Sequence, residues 1–223
     1  MRRLRDHGLS LFFGLIFLVA LVGQAISGLA DYNNHQLSSG GDPISLLAYV
    51  TSASFGVDVA ENWQSEYLQF FLYILATVWL VQKGSNESKV LEDAGLESKV
   101  QQQIGRNARA GSPRWAKFDD WRTRIYENSL LLAMTAVFFA TWFAQSLNNW
   151  REFNDEARQH GGHAVGWTGY LGNADFWERT LENWQSEFLA VGTMVVFTIY
   201  LRQRGSPESK PVGAPHDETA SSG

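Results

Sequence analysis

Cysteine is absent from the 223 residues, which excludes disulfides, thiol catalysis and thiolate metal sites. A surplus of positive charge is lacking too. Eighteen Lys and Arg stand against 23 Asp and Glu, a formal net charge of −5, and that argues against nucleic acid as a partner. The catalytic signatures are also missing: there is no glycine-rich phosphate loop, no paired-histidine helix motif, no nucleophile elbow and no dinucleotide fingerprint. Five histidines yield one close pair, His160 and His163, which reads as part of a flexible glycine loop. The expectation is therefore a non-enzyme with no cofactor and no metal.

What is present is apolar sequence in four blocks. The mean hydropathy of −0.19 is that of a soluble protein, but the average hides the clustering. The blocks run over about Leu9–Leu29, Asn62–Val81, Leu130–Trp150 and Asn183–Leu201. Crossing ~30 Å of hydrocarbon takes a helix of ~20 residues, so each block is long enough. The first and third are apolar all round, which suits lipid better than a soluble core. Arg2, Arg3 and Arg5 before the first block resemble the basic region of a signal peptide. Its apolar stretch exceeds the ~7–15 residues of a usual signal, however, and it has a mid-chain counterpart, so an uncleaved span is expected.

The chain repeats itself. Glu61-Asn62-Trp63-Gln64-Ser65-Glu66 recurs as Glu182-Asn183-Trp184-Gln185-Ser186-Glu187, an interval of 121 residues, and the same interval maps Gln24 to Gln145, Tyr49 to Tyr170, Gly84-Ser85 to Gly205-Ser206 and Lys89 to Lys210. A six-residue identity in ungapped register is not chance. The sequence thus divides into a first two-span repeat at 1–89, a linker at 90–121, a second two-span repeat at 122–210 and a disordered tail at 211–223. Two spans per copy give both copies the same orientation, the parallel kind of repeat.

Charge sets the topology. Fifteen of the 18 Lys and Arg lie in the amino-terminal segment, the linker and the tail, and three (Arg151, Arg158 and Arg179) lie in the loops between paired spans. By the positive-inside rule both termini and the linker are cytoplasmic. Ten acids against those three bases make the outer loops acidic. Their aromatics, among them Tyr49, Phe55, Tyr170 and Phe176, predict short helices on the outer side. In the linker, residues 83–113 read as partly disordered. Residues 114–125, with Trp115, Phe118, Trp121 and Ile125 among basic residues, read as one amphipathic helix on the inner leaflet.

The hexapeptide supplies the candidate site. Counted from the cytoplasmic end, Glu66 lies ~6 Å and Gln24 ~7.5 Å inside the outer boundary at 1.5 Å per residue, with Glu187 and Gln145 at matching depths. Asn62 and Asn183 fall one turn above the glutamates, and Trp63 and Trp184 suit the interface. An acid within a span is by default a functional hypothesis, as an ion or ligand site. The same groups also serve as a helix clasp through Gln–Glu hydrogen bonds, or as a cap with Asn62 at the helix start. Small-residue stripes, Ala136-Ala140-Ala144 and Gly23-Ser27, let helices approach closely.

The repeated Glu-Asn-Trp-Gln-Ser-Glu-aromatic-Leu motif, with its Gln-(Lys/Arg)-Gly-Ser-x-Glu-Ser-Lys exit, resembles a family of bacterial four-span membrane proteins that is a domain of unknown function. The resemblance implies a bacterial cytoplasmic-membrane location and carries no activity. The reading is an all-α integral membrane four-helix bundle built from two tandem hairpins, with an interaction or envelope-organising role. The alternative is a small transporter or channel for protons or cations. Its expected surroundings are the lipid bilayer, with a homo-oligomer open as another way to cover apolar surface.

Overall fold

A computed structural model describes residues 6–220. Over these residues the chain is all-helical, with seven α-helices and no strand: α1 Gly8–Ser38, α2 Leu46–Val50, α3 Ala53–Trp79, α4 Trp121–Glu127, α5 Ser129–Gln159, α6 Trp167–Tyr170 and α7 Ala174–Tyr200. Two of the four helices expected to span, α1 and α5, are long and apolar enough to cross a membrane by length and composition. Helices α3 and α7 have the length, 27 residues each, but the polar hexapeptide dilutes their apolarity. Helices also outrun the apolar blocks: α3 begins nine residues before Asn62. Polar helix continues where the apolar run stops, because helical hydrogen bonds do not depend on apolar side chains.

Contacts divide the chain into two compact units, Met1–Ala60 with Ala144–Leu171, and Glu61–Phe143 with Gly172–Gly223. Each unit joins segments distant in sequence.

In the first unit, α1 and α5 end alike. Gly40 (φ +78°) and Gly161 (φ +70°) adopt the left-handed conformation, and the next amide closes each turn, Gly41 N–H on Gln36 O at 2.8 Å and Gly162 N–H on Ala157 O at 2.7 Å. An asparagine then pins each following loop. Asn33 accepts from Ile44 N–H at 2.8 Å and donates to Ile44 O at 3.1 Å. Asn154 does the same with Val165, at 2.8 and 3.0 Å. Short helices α2 and α6 follow and bury Tyr49 and Tyr170. Tyr49 packs on Tyr32 and Phe55; burial and the nearby Asp58 carboxylate push its hydroxyl above the ordinary tyrosine value.

In the second unit, the first half of α5 packs on α7 through rings. Trp142 stacks on Phe176 at 6.1 Å and meets Trp184 at 5.9 Å, and Phe138 lies 6.4 Å from Trp184. Beyond α3 and α7 the chain makes two similar turns. Gln82 N–H donates to Ser88 Oγ at 2.8 Å, and Gln203 N–H to Ser209 Oγ at 2.9 Å. Gly84 (φ +87°) and Gly205 (φ +84°) sit at corresponding corners.

The tail and linker differ from expectation. Lys210, only 1 % exposed, donates to four backbone carbonyls: Gly84 at 2.7 Å and Pro215, His216 and Glu218 at 3.0 Å each. Burial pushes its amine below the ordinary lysine value, Arg202 adding to the effect and Glu218 and Asp217 opposing it. Thr219 accepts from Gly84 N–H at 2.9 Å. The tail read as disordered is thus laced down as far as Ala220, whose N–H meets Ser85 O at 3.2 Å; residues 221–223 lie outside the described chain. The linker read as partly disordered is held by Lys89, which bonds Gly95 O at 2.9 Å and pairs with Glu97.

The single amphipathic helix over 114–125 is also corrected. A 3-10 turn at Arg114–Lys117 and the helix α4 are separated by a break at 118–120. Asp120 starts α4 by accepting from Arg122 N–H at 2.9 Å, and Thr123 ties back to Trp115 O at 2.9 Å. The Arg122 guanidinium stacks 3.4 Å from the Phe118 ring centroid. These local bonds out-compete continuous helix, as Asp and Thr side chains do near helix starts.

Candidate functional site

The first hexapeptide lies inside α3 and the second inside α7, both in the second unit. A helical side chain repeats its direction every three to four residues. Gln64, Ser65 and Leu68 share the buried face of α3, with exposures of 0, 2 and 7 %. Glu66 and Asn62 fall on the exposed faces. The Glu66 carboxylate makes no hydrogen bond or ion pair among the described residues. Glu187 is half-buried; its carboxylate accepts from Ser65 Oγ at 3.5 Å, and its carbonyl from Gln69 Nε2 at 3.2 Å.

Two further contacts join α3 to α7. Trp184 Nε1–H donates to Gln64 Oε1 at 2.8 Å. Arg179 approaches Glu61 at 3.7 Å and Asp175 at 3.4 Å. Polar contacts at Glu61, Gln64, Ser65 and Gln69 therefore run down one side of α3. Gln64 Nε2 stays buried without a partner, as do Trp142 Nε1 and Thr180 Oγ1.

The capping alternative does not hold. Asn62 lies well inside α3, not at its start, and Asn183 donates to Arg179 O one turn back within α7 at 2.9 Å. The cap of α7 is Asn173, which accepts from Asp175 N–H at 3.0 Å. Trp63 is 39 % exposed, whereas Trp184 is half-buried.

Gln24 and Gln145 belong to the first unit. Gln24 is half-buried. Gln145 is completely buried, and neither end of its amide has a partner, so these two glutamines are not bonded to each other. Sequence reasoning missed Gln64 and Ser65, which sit beside the chosen Glu66. The missed signal was the helical phase shared with Leu68, one turn on, which buries Gln64 and Ser65 and leaves Glu66 exposed.

His160 holds Glu156 O at 2.9 Å on its own helix end. Among the described residues no three His, Asp or Glu are gathered to hold a metal ion. The arrangement of the hexapeptide binds helix to helix.

A family model described as "Domain of unknown function (DUF6766)" matches residues 1–221. No curated protein and no solved structure matches the chain.

Proposed function

The chain belongs to this family of unknown function, and on that premise we propose a non-enzymatic membrane scaffold with an interaction or envelope-organising role, in which the hexapeptide is a helix clasp. The observation that carries the reading is the set of contacts from α3 to α7: Glu61 to Arg179, Gln64 to Trp184, Ser65 and Gln69 to Glu187. Bonds of this kind hold spans together where lipid offers no hydrophobic drive for helix association.

The finer architecture belongs to the same proposal: four spans, arranged as two tandem hairpins, in a bacterial cytoplasmic membrane with both termini inside. The helix bounds support the repeat, because Gly8–Ser38 and Ser129–Gln159 are offset by 121 residues, as are Ala53–Trp79 and Ala174–Tyr200. The paired asparagine pins at 33 and 154 support it further. Exposed Trp115 and Trp121 beside Arg114 and Arg122 suit the headgroup region of an inner leaflet.

The test uses purified protein in liposomes. Proton and cation flux is measured for the wild type and for Glu66→Gln with Glu187→Gln, alongside melting in detergent. The scaffold reading expects no flux, and a melting temperature lowered by several degrees in the clasp variant Trp184→Phe, which loses the bond to Gln64. Flux in the wild type that disappears in the glutamate variant would replace the scaffold by a small transporter or channel.

A further inference from the structure

Farther along α3, beginning at the last clasp residue Gln69, a groove of about 610 Å³ opens between α3 and α7. Leu72, Ala76, Trp79, Phe188 and Val191 line it, so it is almost wholly carbon. A second cavity of about 210 Å³ shares Gln69, Tyr73 and Val191 with the groove and adds two carboxylates, Glu87 and Glu208. These glutamates come from the two similar turns that follow α3 and α7.

The charge in the smaller cavity is uncompensated. Tyr73 donates its hydroxyl to Glu87 Oε2 at 2.6 Å. Glu87 Oε1 is buried and has no partner. Among the described residues neither Glu87 nor Glu208 joins an ion pair. Of the cations near in sequence, Lys89 bonds Gly95 O and pairs with Glu97, Lys83 lies 3.9 Å from Asp217, Lys210 bonds its four carbonyls and Arg202 the carbonyls of Ile199 and Ala214, while exposed Arg204 pairs with neither glutamate. A buried carboxylate oxygen without a donor is costly, and the cost is relieved by a cation that also donates a hydrogen bond.

We propose that the two cavities together bind one amphipathic cation, a primary ammonium joined to an apolar body. The ammonium meets Glu87 Oε1 and Glu208 in the small cavity; the apolar body lies in the groove along Leu72, Ala76 and Phe188. Charge complementarity selects this occupant. A neutral chain would leave Glu87 Oε1 unpaired, and an anion would be repelled by both carboxylates. The combined volume falls in the ~300–1,000 Å³ range of small-molecule sites. The site adjoins the clasp: Gln69, which donates to Glu187 O, lines both cavities, whereas Glu61, Gln64 and Ser65 line neither.

The test is isothermal titration of octylammonium into full-length protein in phosphatidylcholine nanodiscs, with empty discs subtracted and octanol as the neutral isostere. Saturable one-to-one binding is expected, weaker by about tenfold or more for octanol and for Glu87→Gln with Glu208→Gln. Glu92→Gln, an exposed acid outside the cavity, should leave affinity unchanged. Two further variants guard against misfolding of the double mutant. Tyr73→Phe frees the second Glu87 oxygen and should retain or tighten binding, and Ala76→Phe fills the groove and should abolish it with both charges intact. Uptake equal to that of empty discs, equal affinity for octanol, or indifference to loss of both carboxylates would each overturn the proposal.

Discussion

A side-chain carbon added at Gly28 would lie 2.2 Å from the Tyr49 hydroxyl, and Tyr49 is only 2 % exposed, so the ring has little room to withdraw. Overpacking of this kind costs about 1–3 kcal/mol. Gly28→Ala should therefore lower the melting temperature, and Tyr49→Phe in the same chain should recover part of the loss by removing the colliding oxygen. Asp120 presents a different case. The hydrogen bond from Arg122 holds its carboxyl below the usual aspartate value. The pair's contribution is full above the ordinary carboxyl value of about pH 4 and is lost as pH falls through the lower folded value. Asp120→Asn, which keeps an acceptor for the helix start, should flatten that part of the acid-unfolding curve followed by circular dichroism.

Helices α3 and α7 carry the same hexapeptide in different surroundings. Gln64 is fully buried, while Gln185 is exposed. Trp184→Phe should strand the Gln64 oxygen and cost about 1–3 kcal/mol. Adding Gln64→Leu should restore much of that loss, because a buried pair replaced on both sides leaves nothing unsatisfied. Gln185→Leu should be close to neutral. A double-mutant cycle by thermal melting in detergent separates these outcomes. The same comparison marks how far sequence alone reached. It identified the all-helical class and the long helices, because apolar length is visible directly. It chose Glu66 and Asn62 over Gln64 and Ser65 because depth along a span says nothing about which way a side chain faces. The break at 118–120 was hidden too: aromatic spacing favoured one helix, and short-range bonds at Asp120 and Thr123 overruled it.

On the scale of the whole molecule, the proposed topology is open to a direct check that the composition makes clean, because the chain has no native cysteine. Ser39→Cys should react with a membrane-impermeant maleimide added to intact cells, and Ser112→Cys should react only after lysis. The reverse pattern, or labelling of both, would overturn the assignment of sides. The proposal of a cation in the α3–α7 groove adds a constraint at this scale, for it requires Glu87 and Glu208 to reach one cavity from turns 121 residues apart. The cage around Lys210 has a consequence in time as well as in space. Gly84 leaves the ribosome 126 residues ahead of the lysine that holds its carbonyl, and 135 ahead of the threonine that receives its amide. Throughout that interval the turn after α3 is a lock without its bolt. A nascent chain halted before residue 210 would therefore carry α3 already written and this turn still unfastened, so the emergence of Lys210 and Thr219, not the formation of α3, sets the moment at which it closes.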